Sequence, residues 1–376
     1  MAYLFHNAHV HQPKDLGIQD ILVVGSTIVA MGNNLSVTLP GLQVIDLEGR
    51  DVIPGLIDQH VHIIGGGGED GPESRVQPLA FSDLAKAGVT AVVGTLGTDC
   101  HTKTLRDLFA TAMALRHQGV HAWCLTGSYE YPSPTLTGSV SDDLVFIDPV
   151  IGCKIAISDQ RCSCPDQAEL TRLASQCRLG GLIGGKVGEL HLHVGADPNG
   201  IEVLMRIIHD SPIPASQFHP THMGRHLEQA LAWIGKGGYA DITTGTNAAA
   251  HLADLAGRLD ETAWNLVTMS SDSNGSMPKW NDKKEIIGMD RGRMTALLST
   301  IRSLVDDFGF TWEKALLPCT KSVAKALRFD GMIGSLEPGK SADLVVLENW
   351  KPKTVLCQGE FLARNGEITR KGMFEE

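Results

Sequence analysis

Apolar and β-branched residues follow two rhythms along the chain. Near both ends they form short runs broken by Pro, Gly and Asn: residues 3–10, 20–32 and 43–47 at one end, 342–348 and 354–362 at the other. Such runs predict strands. Neither end holds enough of them for a two-layer core, so 1–53 and 335–376 are expected to pair into one small β-sandwich domain. Between the ends, apolar runs stop near His62, Thr98, Tyr129, Ser158, His193, His222, Gly245 and Asp272, at intervals of roughly 30 residues, the length of a strand–helix–strand unit. Most intervals carry a helical period, as in Ile201, Leu204, Met205 and Ile208, or Leu227, Ala230, Leu231 and Ile234. Asp166 and Glu169 stand as a helix-capping pair before Leu170, Leu173, Ala174 and Cys177 on one face. Alternation of this kind predicts an α/β fold in which 54–334 is a (β/α)₈ TIM-like barrel. In that fold functional residues sit at the C-terminal ends of the strands, where the polar residues cluster here.

His60-Val61-His62 closes the first barrel run. Residues i and i+2 of a strand face the same side, so both imidazoles can reach one cation. His9-His11 and His191-His193 repeat the spacing, the former in the N-terminal β region, where a solvent-exposed pair is expected. Other ligand types recur at later strand ends. Lys154 lies in an apolar run where an unpaired ammonium is costly, and His193, His222 and Asp272 each close a further run. Gly65–Gly68 lacks the Lys-Ser/Thr of a phosphate loop and reads as a flexible loop after the first barrel strand. Met277–Met289 reads as an exposed loop after the eighth.

Composition limits the partners. Lys and Arg number 32 against 43 Asp and Glu, a formal charge of −11 that repels nucleic acid and anionic membrane. The N-terminal residues lack a signal-peptide pattern, and 8 cysteines in 376 residues make no disulfide framework, so a reducing cytoplasm is expected. Cys162-Ser163-Cys164 has no second cysteine pair at zinc-finger spacing and reads as reduced loop thiols.

Taken with Val52-Ile53-Pro54-Gly55-Leu56-Ile57-Asp58 and Ser335–Leu344, these residues resemble the amidohydrolase superfamily. Within it the chain is similar to the isoaspartyl dipeptidase family, through Gly65-Gly66-Gly67-Gly68-Glu69, Thr126-Gly127-Ser128-Tyr129, Thr137-Gly138-Ser139-Val140, Ile157-Ser158-Asp159-Gln160-Arg161, Pro220-Thr221-His222 and Ser270–Ser276. The resemblance implies a site with two Zn²⁺ ions per subunit. His60, His62 and Asp272 would hold the buried metal, and His193 and His222 the outer one. Lys154, carboxylated on its amine by CO₂, and a hydroxide would bridge them. A carbamate also suits the charge balance, since Asp272 alone does little to neutralise two dications. The implied reaction is hydrolysis of β-aspartyl dipeptides, with the bridging hydroxide attacking the amide. Asp272 would shuttle the proton to the leaving amine, and Tyr129 would stabilise the oxyanion. Glu69 would take the substrate ammonium, Arg161 and Arg225 its carboxylates, and Thr98 and Ser276 would add hydroxyl contacts. A homo-oligomer is also implied. Two alternatives stay open: another binuclear amidohydrolase of the dihydroorotase or cyclic-amidase type, and a non-catalytic assembly relative.

Overall fold

The computed structural model describes residues 1–283 and 285–375. Among them eight parallel strands form the predicted barrel. Six pair in order from Leu56–Val61 through Val89–Gly94, His121–Gly127, Val150–Ile157 and Glu189–Val194 to Phe218–Thr221, and Ala240–Thr243 pairs with Val267–Ser270. The first six bury every residue but Trp123, because helices cover the outer face and side chains fill the interior; this is why most read as largely apolar runs. The barrel closes where the Val61–Ser273 bridge joins the first strand to the segment after the eighth.

No backbone ladder joins the sixth strand to the seventh. Side chains do that work around buried Asp241. Its Oδ2 accepts from Thr221 (2.6 Å) and Ser270 (2.6 Å), and its Oδ1 from Gln59 (2.7 Å) and Thr268 (3.0 Å). One carboxylate on the seventh strand thus ties together the first, sixth and eighth.

The helices follow their sequence signals. Gln167–Gly184 starts on Asp166 with a complete capping box to Glu169 and buries Leu170, Leu173, Ala174 and Cys177. Glu202–Asp210 and Leu227–Ile234 are the other two helices foreseen from periodicity. The two chain ends meet in one nine-stranded sheet among the described residues, in which Asp51–Pro54 pairs antiparallel with Leu344–Glu348. Its core gathers Phe5, Val10, Ile21 and Val23 with Leu336, Leu344, Val346 and Leu356. Among the described residues no helix is long and apolar enough to cross a membrane.

Three local expectations are corrected. Residues 277–289 are no loop: Ser276–Trp280 pairs with Ile286–Arg291 in an antiparallel hairpin, while Lys284 lies outside the described residues. Gly65–Gly67 is buried, not loose; a Cβ on Gly65 would run into the Val76 carbonyl oxygen, so Gly65 admits no side chain. His11 is also buried, stacked on Trp312 at 4.4 Å with Nε2 2.9 Å from Asp51.

Candidate active site

The C-terminal ends of the barrel strands bring the six expected ligands together. His60 lies within the first strand and His62 directly follows it, Lys154 lies within the fourth, and His193 within the fifth. His222 and Asp272 follow the sixth and eighth with φ of 66° and 52°. A non-glycine residue in that left-handed region costs about 1–3 kcal/mol, so the fold holds both against a local preference. His62 Nε2 lies 3.0 Å and His60 Nε2 3.5 Å from Asp272 Oδ1, and Lys154 Nζ is 3.0 Å from His60 Nε2. His60, His62 and Asp272 form one tight trio of possible ligand atoms. His193 and His222 stand beside it, their rings 4.4 Å apart, with the His222 ring 5.4 Å from that of His60.

Residues behind the site set which ring nitrogens keep a lone pair. Buried Glu189 accepts from Nδ1 of both His191 and His219 at 3.1 Å. That leaves the lone pair of His191 on Nε2, which accepts from His60 Nδ1 at 3.0 Å and turns His60 Nε2 inward. His222 donates Nδ1–H to Thr243 at 2.6 Å and keeps a buried, unpartnered Nε2. His193 donates Nε2–H to Asp159 at 2.9 Å, so its Nδ1 accepts from the Tyr129 hydroxyl at 2.7 Å.

The electrostatics agree. Burial first, then the charge of Lys154, holds His60 well below the ordinary imidazole range; burial does the same to His222, and brings His193 down to about 4. All three rings are neutral at pH 7. Burial also brings Lys154 down to about 7. Neutral imidazoles with inward lone pairs, a carboxylate and a partly neutral amine are a donor set that suits divalent cations.

Above this cage opens a cavity of about 1080 Å³, lined by Thr98, Tyr129, Arg161, Arg225 and Ser276 among others. Behind three of these lining residues lies Glu69. Its Oε1 accepts from Ser276 (2.6 Å), Thr98 (2.8 Å) and Arg161 (3.1 Å), and its buried Oε2 has no partner. Arg161 is more committed than its sequence position suggests. Its Nε and Nη2 grip Asp159 at 2.9 and 2.7 Å, so its bidentate face is already occupied. Arg225 spends one contact, Nη1 to the Val194 carbonyl at 3.3 Å. Sequence reasoning did not assign Asp159, Glu189 or Asp241. Asp159 lay inside a quoted motif, and only its proximity to Arg161 could have signalled it.

Residues 240–370 match the amidohydrolase family model. Over its full length the chain is similar to the crystal structure of a β-aspartyl dipeptidase from Fervidobacterium islandicum AW-1 in complex with β-Asp-Leu. The two are 35% identical with a TM-score of 0.94, and the match covers 99% of each chain. The chain belongs to the β-aspartyl dipeptidase family of amidohydrolases. More distant is N-acetylglucosamine-6-phosphate deacetylase from Pasteurella multocida, at 16% identity and a TM-score of 0.67, covering 97% of this chain and all of the other; this likeness speaks to the fold alone. An allantoinase from Enterococcus faecalis shares 47% identity over 75 residues, which is 19% of this chain and 15% of that enzyme. The match to the β-aspartyl dipeptidase therefore spans the terminal sheet and the barrel alike.

Proposed function

We propose that the protein hydrolyses β-aspartyl dipeptides, cleaving the amide between the side-chain carboxyl of an aspartyl residue and the next amino acid. The observation that carries this reading is Glu69: a buried carboxylate, braced on one oxygen by three donors and free on the other, set beside the histidine cage. It suits a primary ammonium next to a reacting amide. A ring-opening amidohydrolase offers no such cation, and a non-catalytic relative has no use for the intact donor set.

In this reading His60, His62 and Asp272 would hold one Zn²⁺ and His193 and His222 a second, with Lys154 carboxylated between them. When bound, the pair supplies Lewis acidity that polarises the amide carbonyl and makes water nucleophilic near neutral pH. The chain does the rest. Asp272 accepts the proton of the attacking water and delivers it to the leaving amine. Burial raises the Tyr129 hydroxyl well above its ordinary value, so it stays protonated and can donate to the carbonyl oxygen as negative charge develops there. Glu69 Oε2 takes the α-ammonium. The free donors of Arg225 take a carboxylate, while Arg161 chiefly holds Glu69 in place. The Lys154 carbamate adds the second anion that the cage needs beside Asp272. The division into a 54–334 barrel and a 1–53 plus 335–376 β domain belongs to the same reading, as do a cytoplasmic location and a homo-oligomer.

Purified protein supplied with zinc and bicarbonate should release leucine from β-Asp-Leu and hold about two metal ions per chain. Metal-loaded protein that leaves β-Asp-Leu intact overturns the reading.

A further inference from the structure

Of the eight cysteines, five are buried, and only Cys100, Cys162 and Cys164 reach solvent. Cys162 and Cys164 are a pair, with their sulfurs 3.8 Å apart. The Cys164 backbone N–H donates to Cys162 Sγ at 3.3 Å, which holds that sulfur in place beside its neighbour. Cys164 sits at φ 48°, in a turn that brings its own sulfur to 3.8 Å from the Cys162 carbonyl oxygen. Its thiol is held above the ordinary range, first by its hydrogen bond to Cys162 and then by that neighbour's charge.

The pair is built into the mouth of the catalytic cavity. Cys164 lines it. Ser163, between the two, accepts the Tyr131 N–H at 2.6 Å and so fastens this loop to the one that carries Tyr129. Cys162 N–H donates to the Asp159 carbonyl at 3.1 Å, and Arg161, the residue before it, grips the Asp159 carboxylate and Glu69. Closing a disulfide would draw the sulfurs together by roughly 1.8 Å from their 3.8 Å separation. With Ser163 tethered, that movement is passed back to Arg161.

We propose that Cys162 and Cys164 form a reversible modification site, closing to an intramolecular disulfide at the expense of a small-molecule disulfide and weakening substrate capture through Arg161. The second half rests on the β-aspartyl dipeptidase reading. Cys162 thiolate attacks one sulfur of a disulfide such as oxidised glutathione, forms a mixed disulfide and expels one thiolate. Cys164 then loses its proton to solvent, attacks Cys162 Sγ and expels the second. The protein sulfurs lose two electrons, and the small disulfide gains them and leaves as two thiols.

The test incubates the metal-loaded protein with oxidised glutathione, alkylates remaining thiols, maps peptides, and measures KM and kcat for β-Asp-Leu. The expected product is a Cys162–Cys164 disulfide without retained glutathione. KM should rise about tenfold, the effect of losing one charge-assisted hydrogen bond, with metal content unchanged and full recovery in dithiothreitol. The Cys162→Ser/Cys164→Ser double variant should keep its KM under the same treatment, and Cys164→Ser alone should retain glutathione on Cys162. Free thiols, or glutathione adducts on both cysteines of the unaltered protein, overturn the site. A mapped disulfide with unchanged KM overturns its coupling to Arg161. Peptide mapping decides the site even if untreated protein fails to cleave β-Asp-Leu, an outcome that would instead sink the activity.

Discussion

Replacing Glu69 with Gln isolates the contact on which the substrate assignment turns. Gln keeps an oxygen that can accept from Thr98, Ser276 and Arg161, so the bracing around Oε1 survives. It removes the negative charge facing the substrate ammonium. Truncating one partner of a buried, hydrogen-bonded charge pair costs about 2–5 kcal/mol. The Glu69 side chain is only 7% exposed, which favours the full range, but Thr98, Arg161 and Ser276, which brace it, line a cavity of about 1080 Å³ that admits water, which screens the pair. The lower half of the range applies. About 2–3 kcal/mol corresponds to a loss of roughly 30- to 150-fold in kcat/KM for β-Asp-Leu. Because a general loss of fit could produce the same number, the assay pairs β-Asp-Leu with succinyl-leucine, the same skeleton without the α-ammonium. Unaltered enzyme should disfavour succinyl-leucine by that factor, and Glu69→Gln should largely erase the difference. An equal loss on both substrates, or none on either, refutes the ammonium assignment.

Lys154→Ala should lose most activity while the barrel stays folded, with partial rescue by short-chain carboxylates; full metal content and unaltered turnover without additive would contradict the bridging role. Because burial brings Lys154 down to about 7, its amine is mostly ammonium at pH 6 and mostly neutral at pH 8, and only the neutral amine attacks CO₂. At equal dissolved CO₂, enzyme stripped of CO₂ should therefore regain activity faster at pH 8 than at pH 6, and a pH-independent recovery rate counts against the carbamate. Asp272→Asn should lower kcat by about 10²- to 10⁴-fold with KM less affected, and a variant within a few-fold of unaltered enzyme removes Asp272 from proton transfer. Arg225→Met keeps the stem but loses the guanidinium, so KM for β-Asp-Leu should rise and kcat/KM fall with the metals retained; kinetic silence would show that the carboxylate binds elsewhere.

The barrel was legible because most of its strands are buried on both faces and so print largely apolar runs, interrupted only by buried polar residues such as Asp58, Glu189 and Asp241. His60, His62, Lys154, His193, His222 and Asp272 stood out for that reason: each is a ligand type at the end of such a run or inside it. What spacing could not reveal are partnerships between residues far apart in sequence. Glu189 orients His60 only through His191, which the fold brings against a strand from the other side of the barrel. Asp241 joins Gln59, Thr221, Thr268 and Ser270 from three other strands. Asp159 hides beside Arg161 because a salt bridge between near neighbours looks like ordinary surface charge until its burial is known. Residues 277–289, with Trp280 and Lys283-Lys284, read as an exposed loop, yet the two halves pair as a hairpin with one register shift.

The central claim is that the clamp of Glu69 and the arginines, and not the cage alone, selects a β-linked aspartyl residue. In an α-linked dipeptide the free carboxylate is the side chain, and the ammonium sits at a different distance from the reacting carbonyl. One clamp cannot pair both ends of each isomer with the carbonyl in the same place. Leaving a charged group unpaired in a desolvated site separates substrates by orders of magnitude. The direct test is kcat/KM for β-Asp-Leu against α-Asp-Leu on the same zinc- and bicarbonate-supplied enzyme. The account predicts a preference of at least about 10²-fold for the β-linked peptide. Equal rates on the two isomers, or a preference for the α-linked one, would contradict it.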